Sequence, residues 1–275
     1  MKVRFTRNPE EAQEALVPSL SLDPLRAERL SSALVVAAKR SIAGHYWWAE
    51  EGNRVLAAVG QVGTAAAELV VIDEIGIDPL AAAISRANPP LSELRGCRDH
   101  LELYGEAATS DGSQTARLHS PRTGFEITEI NSRPRPQGRN RLATDGDLDL
   151  MVAWMSVFDR ETGTVPDENF NRRVITQYVR IGRLHLWEDE GARPVTSTAV
   201  YDATPGIGRL VFVYTPLAHR GLGFADALLV EVTNSLLASG SHCILYADSE
   251  SPAANRLYER VGFQPFADLA TLSVR

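Results

Sequence analysis

The sequence predicts an α/β protein in two domains, and three observations carry that reading. The chain has 275 residues, which at roughly 100 to 200 residues per domain favours two domains over one. Segments with the two-residue period of strands alternate with segments that follow helical spacing. Between the two halves, NSRPRPQGRNR at 131–141 breaks the pattern. There Pro134, Pro136 and Gly138 interrupt any helix or central strand, and four arginines keep the stretch solvated. The expected domains are therefore 1–133 and 134–275.

In the first domain, 3–6 reads as a short strand and 23–40 as a helix. Residues 46–50 and 54–59 form a hairpin turning on Gly52-Asn53. A strand is expected at 68–72, and Asp78-Pro79 starts a helix with proline just inside it. Residues 91–108 read as helical and 125–130 as a last strand. In the second domain, Asp147 caps a helix whose apolar residues Met151, Trp154, Met155 and Phe158 share one face. A second helix covers 169–180. Strands at 183–187 and 194–201 flank the acidic turn EDEGA, and 209–215 is a third, Val-rich strand. A helix over 221–238 stops at Gly240, a buried strand spans 243–247, and 252–260 is a short helix. From Gly262 the chain returns to extended conformation.

Composition excludes several classes. Apolar residues make up 44% and charged residues 23%, near the usual soluble globular composition, so disorder and fibrous repeats are ruled out. A net charge of −7 argues against a nucleic-acid partner, whose footprint would be basic. Two cysteines, Cys97 and Cys243, do not make a disulfide framework, and the expected location is a reducing cytoplasm. Glu10 and Glu11 stand where a signal peptide needs its apolar stretch. Gln61 and Glu68 interrupt the most apolar run, so no membrane association is expected. The histidines at 45, 100, 119, 185 and 242 show no H-E-x-x-H or paired spacing, and no metal is expected.

The informative region is VFVYTPLAHRGLGFADALL at 211–229, a strand that enters a glycine-bearing loop and then opens a helix. First-turn amides lack intrahelical acceptors, the helix dipole is positive there, and glycines let an anion approach the backbone. A bare G-x-G is also simply a tight turn. The Rossmann pattern fails because Asp226 occupies the third small-residue position, and the P-loop pattern fails for want of Gly-Lys-Ser/Thr.

Arg220-Gly221-Leu222-Gly223-Phe224-Ala225, followed by Leu257-Tyr258-Glu259-Arg260-Val261-Gly262-Phe263 with a strand between, resembles the two signature blocks of the GCN5-related N-acetyltransferases (GNATs). The resemblance covers about residues 140–275. It implies a GNAT-type α/β fold with a mixed, mostly antiparallel sheet flanked by helices. It also implies acetyl-CoA as co-substrate and direct transfer to a small-molecule or peptide amine. By the same resemblance, pantetheine would bond to the exposed backbone of Val213, Tyr214 and Thr215. The pyrophosphate would sit on the loop from Arg220 to Ala225, with Asp226 turned away. Tyr258 would be the acid that protonates the departing thiolate. Many members carry Asn where this chain has Ser251, with Asn255 one turn later, and these two residues are expected beside the cofactor's arm. For the general base the candidates are Glu188, Asp189, Asp202, Asp248 and Glu250, all near expected strand ends.

The order of elements in the first half is similar to a second, degenerate copy of the same fold, as in two-domain actinobacterial members. Asp73-Glu74-Ile75-Gly76 stands where the phosphate loop would be, so no cofactor is expected there. That half is expected to roof the acceptor site or to mediate homodimerisation. Trp47 and Trp48 read as hairpin packing in preference to an acceptor wall. From a different class, a non-catalytic acyl-CoA-binding module acting through a protein partner accounts for the same motifs.

Overall fold

The computed structural model describes residues 1–87, 91–112, 114–131 and 135–275. The expected boundary at residues 133 and 134, and Pro134 with it, lies outside the described residues. In the first half, β1 (Lys2–Thr6), α1 (Pro9–Leu20), α2 (Glu28–Lys39), β2 (Gly44–Glu51), β3 (Arg54–Val62), β4 (Ala67–Val71), α3 (Ile77–Ile84), β5 (Glu93–Cys97), α4 (Arg98–Ala108) and β6 (Ala116–Ile127) follow in order. The second half repeats that order with β7 (Arg139–Leu142), α5 (Leu148–Glu161), α6 (Glu168–Arg180), β8 (Leu184–Glu188), β9 (Pro194–Tyr201), β10 (Ile207–Tyr214), α7 (Phe224–Ala238), β11 (His242–Asp248), α8 (Pro252–Val261) and β12 (Gln264–Val274).

Several elements differ from expectation for identifiable reasons. The Asn8 side chain accepts from the amides of Glu10 and Glu11, with Pro9 in the first turn, and so starts α1, which was not anticipated. The expected helix at 91–108 divides, because Glu93–Cys97 pairs with β12 on one side and β4 on the other before α4 begins. Residues 139–141 of the expected linker belong to β7, which pairs with β8 at the sheet edge. β6 starts well before residue 125 and passes Ser120 at φ 51°, where its pairing with β12 slips. Asp147 does not cap α5 directly. It forms a capping box with Thr144 ahead of the helix, and its carboxylate also takes Arg141 at 2.7 and 2.8 Å.

All twelve strands lie in one sheet, ordered β1-β2-β3-β4-β5-β12-β6-β11-β10-β9-β8-β7. Pairing is antiparallel except at β4 with β5 and β10 with β11. Each half supplies six strands, and the sixth strands are exchanged: β12 lies against β5 of the first half, and β6 lies against β11 of the second. The two exchanged strands pair antiparallel with each other at the centre, so the halves are related by a pseudo-two-fold axis through the sheet.

Four apolar clusters cover the two faces. On one face α1 and α2 pack over Tyr46, Trp48 and Ala58, and α5 and α6 over Leu186, Phe212 and Tyr214. On the other, α3 and α4 pack over Trp47, Leu94 and Leu272, and α7 and α8 over Trp187, Leu210 and Leu245. Trp47 and Trp48 thus point to opposite sides of the first half, both as core residues. The start of α2 reaches the second half. Glu28, 1% exposed, takes Arg209 of β10 at 2.6 Å and the Tyr246 hydroxyl of β11 at 3.3 Å. The Arg209 guanidinium lies 4.6 Å over the Tyr201 ring.

Leu272 comes from the last strand of the chain yet is buried in the first-half core. Leu272→Ala is expected to lower stability by about 2–5 kcal/mol, with tryptophan fluorescence and far-ultraviolet dichroism following one coincident urea transition. Two separated transitions would contradict the exchange as a mechanical tie between the halves.

Candidate functional site

The site begins with a mismatch between neighbouring strands. β10 and β9 pair Val211 with Ala199 and then Tyr214 with Ser197, so β10 carries one residue more than its partner. Phe212 adopts φ 52° within this bulge. Two buried hydroxyls from β9 hold the carbonyls around it: Thr198 donates to Val211 O at 3.3 Å and Thr196 to Tyr214 O at 2.9 Å. On its other side β10 pairs in parallel with β11 only from Ile207 with His242 to Leu210 with Leu245. Beyond those pairs β10 runs on to Tyr214 and β11 to Asp248. The strands separate there, and the backbone of Val213 to Thr215 has no β11 partner.

Side chains in the bulge are committed elsewhere. Tyr214 is buried between Trp154, Phe158 and Phe212, and burial raises its phenol above the ordinary value. Val213 leans on the α7 cluster, and the Thr215 hydroxyl meets that of Thr196 at 2.8 Å. What the segment offers toward β11 is main chain outside the parallel ladder, although Tyr214 O already accepts Thr196 and Thr215 O accepts Arg220.

The loop after β10 ends in two left-handed glycines, Gly221 at φ 76° and Gly223 at φ 80°, the latter immediately before α7. A Cβ at Gly221 would meet nothing within 4 Å, and one at Gly223 only Pro136 Cδ at 4.0 Å. The amides of Gly221, Leu222, Gly223, Phe224 and Ala225 find no backbone acceptor among the described residues. Open space, orphan donors and the positive end of a 15-residue helix make this loop an anion cradle. Leu222 is exposed beside it, and Phe224 packs edge-on to His219.

Arg220 is not aimed into that space. It donates to both oxygens of Glu161, at 2.8 and 2.6 Å, and to Thr215 O at 2.8 Å. The Arg220–Glu161 pair is about two-fifths exposed on each side, so its net worth is about 1 kcal/mol or less and an arriving phosphate can compete for the guanidinium. Asp226 does turn away from the loop. It is buried, and both its oxygens face Arg260 of α8 at 3.2 and 3.3 Å. This pair fastens α7 to the helix that carries Tyr258.

Tyr258 lies on α8 at 8% exposure, with its ring 5.9 Å from Phe125 and 6.1 Å from Phe263. Burial pushes its phenol up to about 12, so it keeps its proton at neutral pH. Its hydroxyl has no hydrogen-bond partner among the described residues. Ser251 precedes α8 but makes no side-chain capping bond; its main chain is used, the amide donating to Asp248 O and the carbonyl accepting the Asn255 amide, both at 3.1 Å. The Asn255 Nδ2 donates to Asp248 O and Ser249 O at 3.2 Å, while its Oδ1 is buried without a donor. A buried acceptor of that kind calls for a ligand N–H.

The candidate bases separate by their partners. Glu188 is buried between Arg139 and Arg141, which hold its carboxyl below the usual range. Asp189 is held low in the same way by Arg193 in its own turn, and Asp202 pairs with Arg183. Asp248 and Glu250 have no cation within ion-pair distance among the described residues. Asp248 stands at the end of β11, where its Oδ1 accepts the Glu250 amide at 2.8 Å.

The corresponding region of the first half lacks the bulge. β4 pairs with β3 without a slip, its parallel pairing with β5 covers Ala67 with Leu94 and Glu68 with Arg95, and a Cβ on Gly96 of β5 would lie 2.7 Å from Leu69 O of β4, so the two strands are still in close contact at that point. The Asp73 carboxylate accepts Ile75 N at 3.3 Å and pairs with Arg54, filling the position an anion would take. One grouping was not legible from sequence spacing: Cys97, Asp99 and His100 bring ligand-type atoms within 4.8 Å of one another. Burial pushes the Cys97 thiol up to about 11, which works against the thiolate a metal requires. No helix among the described residues is long and apolar enough to cross a membrane.

Comparison with known proteins agrees with this geometry. The model of the FR47-like protein family matches residues 198–270, a span that includes the bulge, the glycine loop and Tyr258. A GNAT-family acetyltransferase from Colwellia psychrerythraea superposes over 100% of both chains with a TM-score of 0.64 at 12% identity. A tandem GNAT protein from the clavulanic acid biosynthesis pathway covers 100% of this chain and 98% of its own, with a TM-score of 0.59 at 15% identity. A GCN5-related N-acetyltransferase from Kribbella flavida covers 90% of this chain and 95% of its own, with a TM-score of 0.53 at 14% identity. Identities at this level establish the fold. No curated protein sequence matches the chain.

Thr196→Val is expected to leave the Tyr214 carbonyl without its hydroxyl donor and to cost about 1–3 kcal/mol in urea unfolding. Thr196→Ser should restore most of that loss. Equal losses in both variants would mean that the methyl group, and not the hydroxyl, supports the bulge.

Proposed function

We propose that this chain, a GNAT fold in tandem, is an acetyl-CoA-dependent N-acetyltransferase whose working site lies in the second half. The observation that carries the reading is the conjunction of the splayed β10–β11 backbone with the open, amide-lined loop from Gly221 to Ala225. A long ligand with a pyrophosphate at one end and amide groups along its arm satisfies both features. Acetyl-CoA supplies an activated thioester when bound. The Gly221 to Ala225 amides would hold its pyrophosphate, with Arg220 exchanging Glu161 for phosphate. The main chain of Val213 to Thr215 would pair with the pantetheine amides, and the orphan Asn255 Oδ1 would accept from one of them.

The reaction follows from what flanks the gap. An amine nitrogen attacks the thioester carbon, the new C–N bond forms, and the C–S bond breaks. Asp248, the strand-end carboxylate without a cation, takes the amine's proton directly or through water. Tyr258 hydrogen-bonds the departing thiolate and delivers its proton, which solvent returns. The raised phenol value keeps Tyr258 protonated, so that it can donate to the charge that develops as C–S breaks. The first half carries no second site in this account. Its contribution is the strand β6 and the α2 contact that brace β10 and β11.

Thiol release from acetyl-CoA with a panel of primary amines tests the reading. Tyr258→Phe should lower turnover by about 10- to 100-fold, a span within the usual range for acid–base groups, with acetyl-CoA affinity unchanged. An unchanged rate would remove Tyr258 from the chemistry. Gly223→Val, which puts a side chain into the cradle at φ 80°, should weaken acetyl-CoA binding; unaltered affinity in folded protein would refute the loop assignment. With the phenol at about 12, no alkaline loss of turnover from Tyr258 should appear up to pH 10.

A further inference from the structure

The exchanged strand β6 carries an arginine that the fold leaves unused. Arg122 sits directly across from Asp248 of β11 and Leu269 of β12, and directly opposed residues of an antiparallel pair share one face. On β11, Leu245 and Ala247 point into the α7/α8 cluster. Tyr246 therefore points the other way, where α2 covers it: Arg29 lies 5.5 Å over its ring. Asp248 and Arg122 fall on that α2 side. Tyr258 belongs to the α7/α8 side, so the thiolate would leave toward one face and the amine would arrive from the other, where Arg122 and Asp248 stand.

Arg122 is exposed and has no hydrogen bond or ion pair among the described residues. Its cross-strand neighbour Asp248 spends an oxygen on the Glu250 amide at 2.8 Å and makes no ion pair with Arg122. The surroundings are over-supplied with positive charge. Arg29 takes Glu68 through two bonds of 2.9 and 2.8 Å, and Arg95 reaches the same carboxylate only at 3.9 Å. Partial burial and the guanidiniums of Arg29 and Arg95 lower the Arg122 value, against the raising effect of Asp248. An unpaired, crowded guanidinium is a receptor for a carboxylate, which it can take with two parallel bonds.

We propose that Arg122 binds a carboxylate carried by the acceptor itself, so that the acceptor is of amino-acid type, with its amine at Asp248 and its acid group at Arg122. Cross-strand partners have Cα atoms about 4.5–5.5 Å apart, a span across which two side chains can straddle an amine and a carboxylate a few bonds apart. This assignment rests on the acetyltransferase reading and deepens it. It also gives the first half a part in specificity, because Arg122 comes from that half's own last strand.

The test pairs glycine, L-alanine, L-glutamate, L-leucine and L-phenylalanine with their α-carboxamides as acceptors, at saturating acetyl-CoA. The acids should be preferred. Arg122→Gln should raise KM for preferred acids by at least 10-fold, with kcat and the KM for the amides within twofold, and Arg122→Lys should recover part of the loss. Equal use of amides and acids, or a preference that survives Arg122→Gln, would overturn the assignment. If no amine is acetylated, the proposed function fails and a second measurement judges Arg122 by itself: calorimetric titration of the CoA-saturated protein with the N-acetylated forms of the same acids. Binding that weakens at least 10-fold in Arg122→Gln supports the carboxylate site. Absence of binding, or binding indifferent to the substitution, overturns it.

Discussion

The extra residue that β10 carries between Val211 and Tyr214 sets the geometry on which the second half depends. Had β10 stayed in step with β9, it could have continued beside β11, and more of its main chain would have been consumed by the ladder. The bulge ends that pairing after Leu210 and frees a run of peptide groups at the point where β11 reaches Asp248. Left alone, unpaired carbonyls in a buried strand are costly. Thr196 and Thr198 meet that cost from β9, which explains why these two polar residues are fully buried there.

The other constraint is the exchange of the last strands. β11 keeps its position because β6, from the other half, pairs along Cys243 to Asp248. β10 keeps its position partly because Glu28 of α2 holds Arg209. Burying two charges seldom adds stability by itself, but losing either partner of such a pair is expensive, so the contact fixes one arrangement of the halves. In this view the first half is not a spare copy. Its α2 contact and its last strand support the second half, and that strand forms part of the second half's floor.

Much of this was legible in the residues. Gly221, Gly223 and Tyr258 drew attention to the second half because they stand in the two blocks that resemble the GNAT signature; a G-x-G by itself reads as a tight turn. Asp226 was legible too, as a carboxylate that had to face elsewhere, though its partner Arg260 was not. The strand exchange was hidden, since hydrophobic period reports which face a strand buries and not which strand lies beside it. β6 was largely missed because Pro121 and the bend at Ser120 obscure its alternation. The helix expected over β5 runs across Gly96, and pairing with β12 makes Glu93–Cys97 a strand instead. Asn8-Pro9-Glu10-Glu11 is a plain helix start, with its cap, its first-turn proline and its acids all in the sequence. The sorting of the candidate bases needed coordinates, because sequence does not show which carboxylates arginines have already claimed.

The measurement that bears most directly on this account is calorimetric titration of the intact protein with acetyl-CoA, with NADH as control. The account predicts one acetyl-CoA bound per chain and no heat from NADH, because among the described residues a bulged strand and a glycine loop with open amides occur together in the second half alone. Two sites per chain would contradict the assignment of a single site to the second half. No binding by protein shown to be folded would contradict the claim that the splayed strand and the glycine loop form a cofactor site.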